Sequence, residues 1–366
     1  MSHIAEQKLL NILQNTAVDE LQDLLARAFS CRIENLGNAV YLRGLIEFSN
    51  YCNSNCFYCG IRKDNQGIDR YHLPAEEIIA IAMEAYKQGF HSLALQSGEL
   101  ADDREVDFIA GVVSRIKELS MTGSYGSMGI TLSVGELSYQ QYLKLWEAGA
   151  HRYLLRIETS DENLFKKIHP PQQSFRHRLE CLDALKEIGF QVGTGVMIGL
   201  PGQSYEHLGR DLQFFKERDI DMLGMGPYIA HPSTPLFKIK TGFSFDPYLT
   251  SVKMMALARL MMPDINMVAS TALQSLHPDG LKMALRAGAN IVMPVLTPES
   301  KRSEYTLYAN KQYKSIDLLS DDINSSGLEL NYWKWGDSLH YYNRRKDVPP
   351  ASISGRVPIN KTGGGF

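Results

Sequence analysis

Residues 75–97 read AEEIIAIAMEAYKQGFHSLALQS, a helical pattern that stops at a glycine and continues as a strand. Ile79, Met83 and Tyr86 recur at i, i+4 and i+7, with Glu76, Glu77 and Lys87 elsewhere, which predicts an amphipathic helix. Gly89 lies just past it, where a residue without a Cβ adopts the left-handed conformation at no steric cost and turns the chain into the apolar run that follows. The same punctuation recurs in EAGA (147–150), EIGF (187–190) and RAGA (286–289).

Eight strand-like runs emerge from this reading. They are VYLRGLIEF (40–48), HSLALQS (91–97), MGITLSV (128–134), HRYLLRIET (151–159), QVGTGVMIG (191–199), DMLGMGPYI (221–229), INMVAST (265–271) and ANIVMPV (289–295). A helix fits between each consecutive pair. Alternating helices and mostly apolar strands imply a parallel sheet, and eight repeats imply an α/β fold closed as a complete eight-stranded βα (TIM-type) barrel. An open doubly wound sheet is the alternative, but no Gly-rich phosphate loop follows the first strand. Residues 1–35 are expected to form an N-terminal helical extension and 36–310 the barrel. Residues 311–366 are expected to form a C-terminal extension, ending INKTGGGF, packed on the barrel or partly disordered.

The bulk numbers narrow the function. The net charge is −3 and Lys and Arg are scattered, which argues against a dedicated nucleic-acid or anionic-membrane surface. No stretch approaches the length of a membrane span, and the opening MSHIAEQKLLNILQ has neither the basic start nor the apolar run of a signal peptide. The expected compartment is the cytoplasm, where clustered cysteines favour metal or redox chemistry over disulfides.

Three of the five cysteines lie in YCNSNCFYCG (51–60), directly after the first strand and so on the barrel face where active sites are built. Cys52, Cys56 and Cys59 form a Cys-x3-Cys-x2-Cys pattern with Tyr58 before the last. A 4Fe–4S cube usually takes four thiolates, so three leave one iron open, as a catalytic rather than structural metal site requires. A structural zinc completed by a distant His or Cys is the competing assignment. Cys31 and Cys181 sit among apolar neighbours and read as buried thiols.

The cysteine pattern resembles the signature of radical S-adenosylmethionine (SAM) enzymes, which implies one 4Fe–4S cluster with SAM at the open iron. FSNYCNSNCFYCGIRKDN (48–65), LQSGE (95–99), TLSVGE (131–136), RYLLRIET (152–159), GLPGQ (199–203) and LRAGANIVMP (285–294) further resemble, in order, the HydE family of FeFe-hydrogenase maturases. That resemblance implies SAM contacts from Tyr58, Gln96, Ser97, Gly98, Glu99, Arg156, Glu158, Arg178, Met197 and Pro201. The Met197–Pro201 segment has the small, apolar character that passes backbone close to an adenine face. Thr131, Met222, Ser270, Thr271, Met293, Tyr305 and Tyr308 match positions lining a substrate cavity, where hydroxyls with few charges suit a small, anion-bearing guest. The implied substrate is a small cysteine-bound iron carbonyl/cyanide precursor delivered by a partner maturase, with a reductant such as ferredoxin or flavodoxin. A HydE-like paralogue acting on another small amino acid or sulfur compound, as methylornithine synthase does, remains an alternative, as does a non-catalytic iron–sulfur or zinc protein. Two departures stand out. Ile157 replaces a histidine found in some relatives, and YANKQYKSIDLL (308–319) and Ala287 lack the cysteines of a second cluster.

Overall fold

The computed structural model describes residues 3–15, 17–121, 126–239, 245–309, 311 and 313–345, so INKTGGGF (359–366) lies outside the described residues. Two helices, α1 (His3–Gln14) and α2 (Val18–Leu36), precede a split first strand, β1 (Ala39–Leu42) and β2 (Gly44–Ser49). Next come α3 (Ala75–Lys87), β3 (Ser92–Ser97), α4 (Asp103–Met121), β4 (Gly129–Ser133), α5 (Tyr139–Glu147), β5 (Arg152–Leu154), α6 (Glu162–Ile168), α7 (Phe175–Ile188), β6 (Gln191–Thr194) and β7 (Met197–Ile198). They are followed by α8 (Tyr205–Glu217), β8 (Met222–Leu223), β9 (Gly226–Pro227), a 3₁₀ turn (Pro235–Lys238), α9 (Pro247–Met261), β10 (Asn266–Met267), α10 (Thr271–Leu276), α11 (Gly280–Arg286) and β11 (Ile291–Val292). The described residues end with α12 (Glu299–Arg302), α13 (Ile316–Ser325), β12 (Glu329–Asn331) and α14 (Leu339–Arg344). Among the described residues no helix is long and apolar enough to cross a membrane.

The strands form a curled parallel sheet of seven, in the order β10-β8-β6-β5-β4-β3-β2. Seven of the eight expected strands thus share one sheet, and a complete ring of eight is not seen among the described residues. The last barrel strand, β11, is assigned to a second sheet, β11-β1-β12. The split lies in the first strand, between Leu42 and Gly44. A Cβ at Gly44 would press on the side chains of Leu296, Leu93 and Phe90, which would have to shift to admit it. Two isolated parallel bridges, Val268↔Ile291 and Leu45↔Val295, join the sheets. The fifth and sixth expected strands also break, where Gly195 and Gly224 bring two backbones together; a Cβ on Gly195 would collide with the Gly224 carbonyl. Beyond that crossing, β7 and β9 pair on their own.

All four punctuating glycines are left-handed: Gly89 (φ 92°), Gly149 (φ 111°), Gly189 (φ 113°) and Gly288 (φ 99°). The buried face of α3 differs from the expected one by a single residue. Ile78, Ala82 and Ala85 are buried, whereas Ile79, Met83 and Tyr86 are half-buried on the flank. Alanines allow the closest approach to the sheet, and the larger side chains fill the space beside it.

The C-terminal segment is more than a covering. Strand β12 pairs with β1 in parallel, and Gly336 carries its carbonyl to Arg43 Nη2 (3.4 Å) and Asn266 Nδ2 (2.8 Å). Trp335 Nε1 donates to the Ser127 carbonyl (2.7 Å), and Asp337 meets Arg152 and His151. Residues 333–338 thereby fill the end of the sheet opposite the cysteine loop.

Candidate active site

Strand β2 delivers the chain into the cysteine loop. Its inward alternation puts Glu47 in register with Gln96 of β3, which is in register with Ser133 of β4. The loop is fixed at several points. Asn53 N donates to the Glu99 carbonyl (2.8 Å), Phe57 N to the Ile168 carbonyl (2.9 Å) and Gly60 N to the Leu307 carbonyl (3.0 Å). Gly98 N donates back to the Ser49 carbonyl (3.1 Å), leaving no room above Gly98 for a side chain.

The three thiols influence one another's ionisation. Burial, reinforced by the nearby Cys52, pushes the Cys56 thiol up to about 12. Burial also raises Cys59, with Cys56 and Cys52 adding to the effect, and it raises Cys52. Three desolvated thiolates repel each other, so this arrangement ionises only around a cationic centre. The Glu99 amide N–H already points at Cys52 Sγ (3.3 Å), as it would to a thiolate. Among the described residues no three Cys, His, Asp or Glu groups converge on one ion. A cube asks for no such convergence, since each thiolate takes a different iron. The donor set therefore fits a 4Fe–4S cluster.

From Cys52 a chain of contacts runs across the strand ends. The Glu99 carboxylate accepts from the Ser54 hydroxyl and from Glu136 N (2.8 Å). The Glu136 carboxylate pairs with Arg178, which also donates to the Arg156 carbonyl. Burial opposes the Arg178 charge, but Glu136 more than restores it and holds that guanidinium protonated. Arg156 Nε donates to both oxygens of Glu158 (2.9 and 3.1 Å) and Nη2 to the Val196 carbonyl (3.0 Å). Glu158 sits at φ 64°, a left-handed backbone that a non-glycine residue adopts only where its surroundings enforce it. Its N–H to the Gly195 carbonyl (2.9 Å) and its carbonyl to Met197 N (3.1 Å) supply that enforcement.

Tyr58 and Met197 pack in a separate apolar cluster with Leu164, Ile168, Leu200, Tyr228 and Leu236. The turn containing Pro201 is held by the Gln203 side chain, which accepts from Gly199 N (2.7 Å) and Leu200 N (3.2 Å). Ser97 Oγ donates to the Gly98 carbonyl (2.7 Å).

Sequence reasoning missed Glu136, His169 and Gln173. Glu136 ends TLSVGE, so its place at a strand end was readable. His169 and Gln173 follow α6 and carry no spacing signal. Burial, with Arg178 nearby, lowers His169 to about 3, so its ring is neutral. Its Nδ1 lies 3.0 Å from the Phe165 carbonyl and must carry the proton, leaving Nε2 to accept from the Tyr58 hydroxyl (3.1 Å). The Gln173 amide meets both Cys56 Sγ (3.1 Å) and Ser54 Oγ (3.1 Å).

The seven residues matched to a substrate cavity divide into groups. Tyr308 and Thr271 share a hydrogen bond (2.8 Å), and the Tyr305 hydroxyl meets Gln96. Ser270 caps α10, and Met293 and Thr271 border a cavity of about 30 Å³. Thr131 and Met222 lie deeper. Thr131 Oγ1 accepts from Arg152 Nε (2.8 Å), and Met222 Sδ accepts from Arg43 Nη1 (3.4 Å). Charged groups stand beside these hydroxyls as well. Arg43, Arg152 and Glu47 are all buried, and Lys311 pairs with Glu47 between the rings of Tyr305 and Tyr313. Arg43 sits at the break between β1 and β2 and Glu47 within β2, and the interior is filled by ion pairs as well as hydroxyls.

The family model of the Radical SAM superfamily matches residues 46–215. The FeFe hydrogenase maturase subunit HydE of Thermotoga maritima is 43% identical over 298 residues, 81% of this chain and 80% of that protein. The 3-methylornithine synthase of Methanosarcina acetivorans is 30% identical over 334 residues, 89% and 90% of the two chains. The crystal structure of a methylornithine synthase superposes with a TM-score of 0.77 at 27% identity, covering 90% of this chain and 94% of that one. With the thiol loop on the strand ends and this likeness along most of its length, the chain belongs to the HydE family of radical SAM enzymes, which work with a 4Fe–4S cluster and SAM.

Proposed function

We propose that this chain cleaves SAM reductively and directs the resulting radical onto a small cysteine-bound iron carbonyl/cyanide precursor. That precursor would come from a partner maturase, in the cytoplasm, during assembly of the hydrogenase H-cluster. Cys52, Cys56 and Cys59 would hold the cluster. Bound together, the cluster and SAM supply an electron and a weak S–C5′ bond, giving methionine and a 5′-deoxyadenosyl radical.

The observation that carries this reading is the unbroken chain of contacts from Cys52 through Glu99, Glu136, Arg178 and Arg156 to Glu158. It lays acceptors beside the thiols, where an amine would bind, and guanidinium groups next to them, where a carboxylate would. Gln96, Ser97 and Gly98 extend the acceptor side. Glu158, fixed by its strained backbone, suits ribose hydroxyls. Tyr58, Met197 and Pro201 give the adenine an apolar wall, and the Tyr58 hydroxyl is kept from wandering by His169. With Cys56 ionised, the Gln173 amide turns to donate instead of accept.

Thr271, Tyr308, Tyr305, Ser270 and Met293 would border the precursor, with Thr131 and Met222 below it, backed by buried Arg152 and Arg43. A dry, charged interior orients an anion and denies the radical other hydrogen donors. The bridges Val268↔Ile291 and Leu45↔Val295 support reading the two sheets as one closed eight-stranded barrel around this space. Residues 36–310 would be the catalytic unit, with 1–35 and 311–366 as extensions.

Cys56→Ala, reconstituted anaerobically with iron and sulfide, should lose cluster absorbance and form no 5′-deoxyadenosine with dithionite and SAM. Retained cleavage in that variant would overturn the cluster assignment. The broader reach of the methylornithine synthase likeness favours one second reading, a small amino acid as substrate. Adenosylation seen with an amino acid, and not with the iron complex, would decide for it.

A further inference from the structure

The cysteine loop is flanked on its outer side by two short elements. Phe57 N donates to the Ile168 carbonyl at the end of α6 (2.9 Å), and the Phe57 carbonyl accepts from Leu236 N of the 3₁₀ turn (3.0 Å). Both elements present lysines to solvent. Lys167 is in the last turn of α6 and Lys238 ends the 3₁₀ turn, while Lys63 lies on the loop itself, its N–H donating to the Ser54 carbonyl (2.9 Å). All three are exposed, and none forms a salt bridge among the described residues. Beside Lys238, Phe237 and Ile239 are 52% and 49% exposed. A chain of net charge −3 thus carries, on elements flanking its cysteine loop, three lysines without a salt bridge among the described residues and two exposed apolar side chains beside one of them. The exposed carboxylates Asp64 and Glu162 there pair with Arg62 and Lys166.

We infer that this surface docks a small acidic electron-carrier protein. The inference rests on the cluster reading above, because each SAM cleaved consumes one electron that must reach the three-cysteine loop. The carrier's charge complements Lys63, Lys167 and Lys238, and its exposed redox centre seats against Phe237 and Ile239. Encounters of this kind are small and steered by charge, so three such lysines and two exposed apolar side chains suffice. A carrier holding a flavin hydroquinone would give up one electron, leaving the flavin one electron more oxidised, and a cluster held by Cys52, Cys56 and Cys59 would take that electron up.

The test compares two reductants on the reconstituted full chain, dithionite and a photoreduced acidic flavodoxin. A variant carrying Lys63→Glu, Lys167→Glu and Lys238→Glu should keep its dithionite-driven 5′-deoxyadenosine rate within about twofold. Its flavodoxin-driven rate at low salt should fall about tenfold or more, through a raised KM for flavodoxin. On the unaltered chain, raising salt from about 50 to about 500 mM should slow the flavodoxin-driven rate and leave the dithionite rate alone. Equal flavodoxin rates in variant and parent, or a salt-independent rate in the parent, would overturn the proposal. So would a parent dimer that the variant cannot form, which would give the patch to a second copy. Failure of the cluster reading shows separately, as no cleavage by the parent with dithionite.

Discussion

Gly98→Ala should leave the chain folded but unable to assemble its cluster, cutting 5′-deoxyadenosine formation about a hundredfold or more. A Cβ at residue 98 would run into the Tyr51 carbonyl and lie 2.7 Å from the Cys52 Cβ. The first obstacle is backbone and the second is fixed to it, so neither can swing aside as a long side chain would. Relief requires the cysteine loop to lift away from β3. Cys52 moves with it, out of reach of the Glu99 N–H that meets its sulfur at 3.3 Å. The stability cost of such overpacking is modest, about 1–3 kcal/mol, and the fold survives it. Iron content and cluster absorbance after anaerobic reconstitution are the readout, with circular dichroism as the check on folding. Gly111→Ala is the matching control. A Cβ there meets nothing within 4 Å in the middle of α4, so cluster and fold should both be unchanged or better. A Gly98→Ala protein with full iron and undiminished cleavage would remove the close-approach argument.

Gly98 also shows what a sequence displays and what it hides. Its place in QSGE was readable as a motif, but the reason only glycine fits there is a contact with a loop some forty-five residues earlier. Local chemistry was the legible part. Glycines 89, 149, 189 and 288 all took the left-handed backbone expected of them, because a helix end feeding a strand is decided within a few residues. The cysteine loop fell at a strand end for the same reason. Long-range pairing was much harder to read. The break between Leu42 and Gly44, the separate β7–β9 pair and the pairing of β12 with β1 depend on partners far along the chain. Periodicity alone offered Ile79 rather than Ile78 as the inward residue of α3, since the two patterns differ by one position and only packing against the sheet selects between them. His169 and Gln173 were invisible because their neighbours at the site, Tyr58 and Cys56, are over a hundred residues away.

The last segment of the described chain was expected to pack on the barrel or to be partly disordered, and Asp337→Asn measures how deeply it belongs inside. Asp337 accepts from Arg152, from His151 Nε2 (3.1 Å) and, on its other oxygen, from the Tyr342 hydroxyl (2.7 Å). Arg152 is fully buried, and its remaining donors go to Thr131, Ser92 and the Trp335 carbonyl. Burial disfavours the Asp337 carboxylate, but His151 and Arg152 outweigh it and hold the group well below the usual carboxylate range. His151 itself is lowered to about 4 by burial and by Arg152, so it donates as a neutral ring. Asparagine keeps the shape and removes the charge, leaving the Arg152 guanidinium buried without its counter-ion. That loss should cost about 3–5 kcal/mol at pH 7, read as a lower denaturant midpoint. A carboxylate whose folded pKa is depressed contributes its stability above the unfolded value of about 4 and loses it as pH falls through and below that value. The difference between parent and variant should therefore be full at pH 7 and shrink steadily under acid. A difference below about 0.5 kcal/mol at pH 7 would mean that water already reaches the pair. The residues tied to Asp337 include Thr131 through Arg152, so a segment more than 180 residues further along the chain holds the floor beneath the proposed substrate space.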